Sequence, residues 1–442
     1  MMKKTTKWIS FITVVIMLLS MISTSVLAET DEEIYSSACE LLSIENATLE
    51  GGVYYAETDK TYFYVSAITS PFASYELYAD AACEEWIETD PCVMLTQAQT
   101  EVWLQVWAED METYSEPIKL VINTTATDFV TQEEIPAYMT MGNDGILAVT
   151  GGMVFAEVPD QDMTMVVGGV EEDAKQIYFK VQGMNGYEVK LYADIDLTVS
   201  VDTEMLMTAD SSVNILYAVA TKGVSEKVYA VTIAVPKLYI YTDTQTEWAQ
   251  EYVEAIGLLG FMKGDENGAF NGENNLTRNE MAALMVRLTG ANKEFFSDLE
   301  YTFMDDVPEW AEDYVKAASQ MNLINGVPVL ENNEVIGYNF EGARNATRSE
   351  FLKVFCNVQL TGTGMDVNSF YEANQLIIDL LVDPDGFADF DEVSEWALPT
   401  IYTSIAMGLI EGNEFGYINP NDTITRNEVA TIVCRAMIGE EE

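Results

Sequence analysis

Three short stretches decide the fold of the second half of this chain: Thr-Arg-Asn-Glu at residues 277–280, Thr-Arg-Ser-Glu at 347–350 and Thr-Arg-Asn-Glu at 425–428. A Thr followed three residues later by Glu, just before an apolar run, is a capping box. The Thr hydroxyl accepts a hydrogen bond from a free backbone N–H, and the Glu reaches back to the cap N–H. Each stretch therefore predicts the first turn of a helix, and apolar residues follow at helical spacing, as Val429 and Val433 do.

Each capping box closes a longer repeat that opens with a Trp-Ala pair, at Trp248, Trp310 and Trp396. The distance from this Trp to the Arg of the box is 30 residues in the first and third copies and 38 in the second. The second copy therefore carries an eight-residue insertion, around residues 327–337. A unit repeated in series predicts an architecture in which neighbouring copies stack on one another.

The Arg of each box occupies an unfavourable place. Arg278, Arg348 and Arg426 lie in the first helical turn, where the helix macrodipole favours acids and disfavours cations. A guanidinium beside the free N–H groups of a helix N-terminus makes a site for a carboxylate or a phosphate. A second interpretation stays open, in which each Arg pairs with a local acid of this acidic chain. The recurrence of the same breach in three copies favours the anion site.

The repeats resemble the S-layer homology (SLH) module, which typically occurs as three tandem copies. The pattern of the module runs Phe-x-Asp, Trp-Ala, a helix, Gly-x-x-x-Gly, and Thr-Arg-x-Glu before a second helix. The third copy matches best, because Phe387, Asp389, Trp396, Gly408 and Gly412 all precede its capping box in the right order. The resemblance covers a little under half of the chain.

By this resemblance the region is an all-α, pseudo-threefold trimer of repeats with the Arg-bearing helices in or near a central bundle. Its copies span residues 238–292, 293–365 and 366–442. The family binds anionic secondary cell-wall polysaccharides, often through pyruvylated sugars whose ketal carries a carboxylate. The resemblance assigns polymer binding to one Arg, one Asp and one Trp of each copy: Arg278, Arg348, Arg426, Asp243, Asp305, Asp389, Trp248, Trp310 and Trp396.

The second copy departs furthest from the family pattern. Asn322 takes the place of the first Gly of Gly-x-x-x-Gly, and the insertion lies beside the expected groove. The family's Ala after the Arg is replaced in every copy, by Asn279, Ser349 and Asn427. We therefore expect the second copy to be the weakest of the three sites.

Residues 1–28 are typical of a secretory signal: three Lys, an apolar run from Trp8, and Val-Leu-Ala before the cleavage point. An uncleaved membrane anchor is the alternative. No other segment reaches the roughly 18 continuous apolar residues that span a bilayer, so we predict no membrane contact after cleavage. The predicted location is outside the cell, in the wall or S-layer of a Gram-positive-type bacterium.

The charge of the exported chain restricts its partners. Removal of the leader leaves 18 basic against 73 acidic side chains, a formal net charge of −55. Such a surface repels nucleic acid and anionic lipid. It also repels an anionic wall polymer at long range, so polymer binding must depend on local pockets that contain an Arg.

Five cysteines fall into two groups. Cys83 and Cys92 are close enough in sequence to bridge a loop, and Cys39 competes for either. Cys356 and Cys434 each lie eight residues after the Arg of their repeat, where the first copy has Val286. That equivalence predicts buried thiols that pack as small apolar side chains.

Residues 29–237 have a different pattern. Alternating, β-branched stretches such as residues 102–107 and 228–235, separated by Gly, Asn and Asp turns, predict strands. A weak duplication repeats Leu-Tyr-Ala-Asp of residues 77–80 at 191–194. We therefore predict two all-β sandwiches of immunoglobulin- or cadherin-like shape, at 29–127 and 128–237.

No catalytic arrangement stands out in the sequence. The chain contains no His, the commonest general base and metal ligand, and no nucleophile elbow or phosphate loop. We predict neither enzyme activity, cofactor nor metal, and we interpret the acidic stretches at 265–268 and 383–389 as polar turns instead of calcium loops. The aromatic residues of the first half favour a sandwich core over a sugar- or protein-binding surface: Tyr54, Tyr55, Trp86, Trp103 and Trp107.

The sequence thus predicts a secreted, non-catalytic cell-surface protein that its SLH repeats anchor to an anionic, pyruvylated wall polymer. The sandwiches would form an S-layer, spacer or adhesive region, with self-association in a surface layer as a further contact. Two alternatives stay open: a glycan or peptidoglycan hydrolase delivered by the same anchor, and an adhesin for host or plant glycans.

Overall fold

A computed structural model describes residues 35–87, 91–127, 141–152, 154–158, 163–170, 176–208, 212–235, 239–361, 363–413 and 415–438. The predicted signal at 1–28 lies outside these residues. Within the described part, no helix is both long and apolar enough to cross a membrane.

The first half of the described chain is mostly β-sheet, as predicted, and its first sandwich lies between residues 41 and 124. Its strands are β1 Leu41–Ile44, β2 Ala47–Glu50, β3 Val53–Thr58, β4 Tyr62–Tyr64, β5 Ala67–Thr69, β6 Ser74–Tyr78, β7 Cys92–Met94, β8 Gln99–Trp107 and β9 Ile118–Thr124. A five-stranded sheet in the order β2-β3-β9-β8-β6 faces the pairs β1–β5 and β4–β7. Along β8, Val102, Leu104 and Val106 point into the core because successive side chains alternate between the two faces of a strand.

The second sandwich repeats this topology. Its strands are β10 Met141–Asn143, β11 Leu147–Thr150, β12 Val154–Val158, β13 Met163–Gly169, β14 Ile177–Gly183, β15 Glu188–Tyr192, β16 Ser200–Val201, β17 Glu204–Met207, β18 Val213–Lys222 and β19 Ser225–Ala234. The order β12-β13-β19-β18-β15 corresponds to β2-β3-β9-β8-β6, and the pairs β13–β19 and β3–β9 are both parallel.

The turn after β6 recurs after β15 and confirms the internal duplication. The carboxylate of Asp80 accepts hydrogen bonds from the N–H groups of the turn that follows it, and the carboxylate of Asp194 does the same. Cys83 and Leu197 occupy the same left-handed position, with φ of 53° and 57°. Cys83 therefore lies in a turn whose geometry both sandwiches share.

Cys39 and Cys83 are free thiols, so the alternative of a Cys83–Cys92 disulfide is wrong. The prediction of buried thiols at Cys356 and Cys434 is confirmed. Burial raises the pKa of Cys356 to about 11 and that of Cys434 to about 12, which keeps both side chains neutral.

The C-terminal region is mostly helical. Its helices are α1 Gln250–Leu258, α2 Arg278–Leu288, α3 Glu309–Gln320, α4 Arg348–Gln359, α5 Val367–Leu381, α6 Leu398–Ala406 and α7 Arg426–Ile438. Short 3-10 turns lie at Lys293–Phe296, Pro384–Gly386, Phe390–Glu392 and Glu395–Ala397. The predicted capping boxes begin α2, α4 and α7, with Thr hydroxyl and Glu carboxylate bonded reciprocally to the backbone in each.

The expectation of an all-α C-terminal region is wrong in the second repeat. The insertion forms a hairpin of β20 Val327–Glu331 and β21 Glu334–Asn339. Asn332 and Asn333 make its two-residue turn with φ of 52° and 64°, the left-handed values that a tight hairpin turn requires.

The three repeats join through a closed cycle of backbone hydrogen bonds just before their capping boxes. The N–H of Leu276 donates to Ile424 O (2.9 Å), that of Ile424 to Ala346 O (3.1 Å), and that of Ala346 to Leu276 O (2.9 Å). One apolar core runs through all three repeats. Each repeat therefore depends on both of the others for its backbone hydrogen bonds and its packing.

The second sandwich packs directly on the first two repeats. The N–H of Ile215 donates to Gly290 O (2.8 Å), and the side-chain amide of Asn292 donates to Thr208 O (2.5 Å). Tyr217 is buried in the apolar core that the repeats share. The outer face of β18 is thus an internal interface.

Candidate functional site

The Arg of each repeat reaches into the turn of the next repeat. Arg278, in the first repeat, donates from Nε to Phe340 O (2.9 Å) and from Nη2 to Asn325 O (3.2 Å) of the second repeat. Its guanidinium carbon lies 5.2 Å from the centre of the Phe340 ring. These contacts occupy both edges and one face of the guanidinium, and the Arg278 side chain is only 6% exposed.

Arg426, in the third repeat, makes the same contacts in the first repeat. It donates from Nε to Phe270 O (2.8 Å) and from Nη2 to Lys263 O (2.7 Å), above the Phe270 ring at 4.7 Å. Burial lowers the pKa of both Arg278 and Arg426, and nearby acids oppose this effect.

Arg348 has fewer partners. Its Nη1 lies 2.7 Å from Glu428 Oε1, but its buried Nε finds no acceptor among the residues that the structure describes. Ile418 stands where the other two turns have Phe, so this turn offers no aromatic ring to the guanidinium. The Arg348 side chain is also the most exposed of the three, at 17%.

The acid partner of each Arg is the capping-box Glu of the next repeat. The Arg nitrogens lie 3.5 Å from Glu350, 2.7 Å from Glu428 and 3.2 Å from Glu280 for Arg278, Arg348 and Arg426, respectively. Each Arg therefore pairs with an acid, but the acid is not a local one, because it lies about 70 to 150 residues away in sequence. The pairs close a cycle around the three repeats.

The helix N-termini offer no free N–H in the first repeat. The N–H groups of Arg278 and Asn279 donate to Arg344 O and Gly342 O (both 2.9 Å), while those of Thr277 and Glu280 are used in the capping box. The expectation that these groups take part in an anion site is wrong there. An anion must be held by side chains.

The three Asp residues have one shared geometry. Each carboxylate accepts hydrogen bonds of 2.5 to 2.9 Å from two consecutive N–H groups of the turn in its own repeat. The donors are Phe270 and Asn271 for Asp243, Phe340 and Glu341 for Asp305, and Ile418 and Asn419 for Asp389. In the first two repeats, the residue whose N–H the Asp holds is the one whose carbonyl accepts from the Arg of the preceding repeat.

The three Trp residues lie on the surface. Trp248, Trp310 and Trp396 are 53%, 49% and 46% exposed. Among the residues that the structure describes, a cation lies above the ring of the third Trp alone: Lys353 Nζ is 5.3 Å from the Trp396 ring centre. Lys353 follows Arg348 on α4, and the equivalent residues on α2 and α7 are Ala283 and Thr431.

The turn residues that receive the Arg were not predicted from the sequence. Their signal is a repeated triplet of a large apolar residue, a left-handed residue and Gly or Pro, at 270–272, 340–342 and 418–420. A Cβ on Gly272 would clash with the side-chain amide of Asn427, and a Cβ on Gly342 would clash with that of Asn279. Pro420 faces the smaller Ser349. The residue after each Arg is therefore matched in size to the triplet of the next repeat.

The acidic stretch at 265–268 forms a polar turn, as we interpreted it. Asp265 Oδ1 accepts from the N–H groups of Asn267 (2.8 Å) and Ala269 (2.9 Å). Across the described residues, no three His, Cys, Asp or Glu side chains converge as a metal site requires.

The S-layer homology domain model matches residues 240–282 and 386–430, which lie in the first and third repeats. A surface-layer 125 kDa protein of Lysinibacillus sphaericus is 26% identical over 43% of this chain and 14% of its own length. A cellulosome-anchoring protein of Acetivibrio thermocellus is 26% identical over 43% of this chain and 39% of its own length. An exoglucanase XynX of Acetivibrio thermocellus is 21% identical over 45% of this chain and 16% of its own length.

The chain thus spans a minor part of each of these relatives. A solved structure of titin domains z1z2 in complex with telethonin matches 45% of this chain and 97% of its own at 12% identity, but its TM-score of 0.13 carries no argument about the fold of the sandwiches. The family match, the repeats and the named relatives agree on one conclusion. This chain contains S-layer homology domains and is a secreted, cell-wall-associated protein of a bacterium.

Proposed function

We propose that the three repeats anchor the chain non-covalently to an anionic secondary cell-wall polymer of the pyruvylated type, on a Gram-positive-type envelope. The polymer would bind at the three junctions between repeats. Nine residues shape these junctions: Arg278, Arg348, Arg426, Asp243, Asp305, Asp389, Trp248, Trp310 and Trp396. The observation that carries this proposal is the unused hydrogen-bonding capacity of Arg348.

A buried donor without a partner costs about 1 to 3 kcal/mol, and more when the group is charged. Arg348 Nε is such a donor, and a carboxylate of a bound sugar would satisfy it through a charge-assisted hydrogen bond. Lys353, on the same helix, adds a second positive charge beside the exposed Trp396 ring. This junction therefore combines the positive charges of Arg348 and Lys353 with the aromatic ring of Trp396.

Arg278 and Arg426 suit a different role. Both are already bonded to two carbonyls and a Glu of the next repeat. We assign them chiefly to holding the repeats together. The insertion of the second repeat also lies beside Arg278 and not beside Arg348, because each Arg contacts the repeat that follows its own. The proposed order of the sites therefore differs from the sequence expectation, and the Arg of the second repeat becomes the principal ligand.

We also propose the domain division of a signal at 1–28, sandwiches at 29–127 and 128–237, and repeats at 238–292, 293–365 and 366–442. Separate apolar clusters for the two sandwiches support it. The sandwiches, of immunoglobulin- or cadherin-like shape, act as an S-layer, spacer or adhesive region that self-associates at the surface. We assign no catalytic role, and the exoglucanase match over 16% of that enzyme fits an anchor that enzymes and non-enzymes both use.

The test measures how much purified mature chain sediments with sacculi, either native or stripped of secondary polymer with hydrofluoric acid. We expect binding to native sacculi alone, and at least a tenfold loss of affinity in Arg348→Ala with little change in the melting temperature. Arg435→Ala is the matched control, because Arg435 is a half-buried Arg, 30% exposed, near the end of α7. Equal binding to stripped sacculi, or wild-type binding by Arg348→Ala, would contradict the proposal.

A further inference from the structure

The outer face of the five-stranded sheet in the first sandwich carries an unusual set of side chains. Outside the leader and the three Trp-Ala pairs, the chain has three tryptophans: Trp86, Trp103 and Trp107. All three belong to this face. We call the surface formed by these residues and their tyrosine neighbours the aromatic face: Tyr55, Tyr78, Trp86, Trp103, Trp107 and Tyr114.

Strand pairing places these residues on one side of the sheet. Tyr78 pairs with Trp86 on one flank and with Trp103 on the other, and Trp107 pairs with Tyr114. Directly opposed residues in antiparallel strands share a face, so these five side chains point the same way. Their neighbours Leu77, Leu104 and Val106 point into the core on the other side.

Polar contacts fix the aromatic rings in place. Glu76 Oε2 accepts from the Tyr78 hydroxyl (2.5 Å) and from Trp107 Nε1 (3.1 Å). The Trp107 and Tyr114 rings lie 4.9 Å apart. Lys119 lies above the Trp103 ring, so Trp86 and Tyr114, 55% and 56% exposed, are the most open parts of the face. A preorganised surface loses little side-chain entropy when it binds a ligand.

The second sandwich indicates which partner this face does not fit. There, the equivalent face of β18 packs on the apolar core of the repeats through Val213, Ile215 and Tyr217, all under 5% exposed. In the first sandwich, Trp103 lies opposite Tyr78 as Tyr217 lies opposite Tyr192. By the same register, Gln99 and Glu101 replace Val213 and Ile215. Glu101 is paired with Lys119 (2.8 Å) and the Gln99 amide donates to Asn123 Oδ1 (3.0 Å), so an apolar protein surface here would take an ion pair out of water at a desolvation cost.

We propose that the aromatic face binds a neutral polysaccharide chain. The flat apolar faces of sugar rings pack on Trp and Tyr rings, while sugar hydroxyls donate to the half-exposed carboxylate of Glu101, whose Oε2 is paired with Lys119. The overall charge of the chain disfavours an anionic polymer. Trp86 and Trp107 are separated by four residues along the strands and by two strand spacings, or about 17 Å. An oligosaccharide spans that distance and a monosaccharide does not.

The test is affinity electrophoresis of the mature full-length chain in native gels cast with hydroxyethylcellulose, xylan, mannan or mixed-linkage β-glucan. We expect at least one polymer to retard the chain, and Trp86→Ala/Trp107→Ala to weaken that affinity at least tenfold. Phe415→Ala, which removes an exposed aromatic ring from the third repeat, is the control and should migrate as wild type. If the double variant does not fold, the single variant Trp86→Ala replaces it, since the Trp86 side chain lies largely outside the core.

Two outcomes overturn the proposal: no retardation in any gel, or equal retardation of the wild type and the Trp variants. If no gel retards the chain and the Trp variants also abolish self-association, measured by sedimentation velocity, the aromatic face is a protein interface. Arg348→Ala should keep its retardation in these gels, so failure of wall anchoring and failure of glycan binding are separate results.

Discussion

At the scale of single residues, the Arg of each capping box is tolerated in a first helical turn because its guanidinium extends away from the helix to the neighbouring repeat. The guanidinium of Arg426 ends among Phe270 O, Lys263 O and Glu280, all of which attract a cation. The unfavourable interaction with the macrodipole is worth less than about 1 kcal/mol. The hydrogen bonds to the neighbouring repeat therefore outweigh it.

The Asp that holds each turn gives a pH prediction. Partial burial alone would raise the pKa of Asp243, but hydrogen bonds from the N–H groups of Phe270 and Asn271 outweigh burial and lower it. Asp243→Asn leaves one of these N–H groups without an acceptor and should cost about 2 kcal/mol at neutral pH. A depressed pKa in the folded state stabilises the protein above the unfolded value of about 3.9, and this stability is lost as the pH falls through the folded value.

Urea unfolding of wild type and Asp243→Asn across pH 2 to 7 measures this effect. The difference in the free energy of unfolding should be full above about pH 5 and vanish at the acid end. A difference that stays constant with pH would mean that the carboxylate charge does not hold the turn. Subtracting the variant removes the contribution of the other acids of the chain.

At the scale of elements, the hairpin of the second repeat is an extended form of a turn that the other repeats keep short. Its first pair, Val327 with Asn339, corresponds to the bond from Asp265 N–H to Ala269 O in the first repeat. Four side chains of the hairpin are about half or more exposed: Leu330, Val335, Ile336 and Tyr338. The hairpin is therefore an addition at the surface and not a part of the core.

Replacing residues 327–339 with the five residues found at 265–269 should leave a folded protein. We expect a change of less than about 1 kcal/mol, because the bond from Met304 N–H to Tyr338 O has a counterpart in the first repeat, from Thr242 N–H to Gly268 O, whose acceptor the five grafted residues supply. Thermal unfolding followed by circular dichroism measures this cost. Loss of the cooperative transition would show that the hairpin is required for the second repeat to fold.

At the scale of the whole molecule, the second sandwich and the repeats form a tight interface at Gly290. Gly290 has φ of +74°, and a Cβ there would lie 2.7 Å from Ile215 Cγ1. Gly223 has a similar φ of +63° with open space around it. The two positions therefore separate backbone strain from crowding.

We expect Gly223→Ala to lower the free energy of unfolding by about 1 to 2 kcal/mol through backbone strain alone. Gly290→Ala should cost a further 1 to 3 kcal/mol, roughly, because the added methyl overpacks the interface. Urea unfolding midpoints of the two variants compare these costs. Equal midpoints would mean that the second sandwich is not closely packed against the repeats at Gly290.

Much of the C-terminal region could be predicted from the sequence. The helix starts at Thr277, Thr347 and Thr425 follow from signals within four residues, and the buried Cys356 and Cys434 follow from the repeat register. Asn322 replaces a Gly without harm because it adopts the same left-handed conformation, with φ of 55° against 69° for Gly260. The hairpin was missed because an insertion shows its length but not its structure.

The sequence by itself determined the β-rich first half, the three helix starts, the secretory character and the SLH resemblance, since each depends on local patterns or on composition. Only the tertiary structure decided which Arg has free donors. Residue 426 meets residue 270, and residue 348 meets residue 428, through contacts that close a ring of three repeats. Such contacts depend on how distant segments pack, and no local signal around an Arg records whether its partner turn contains Phe or Ile.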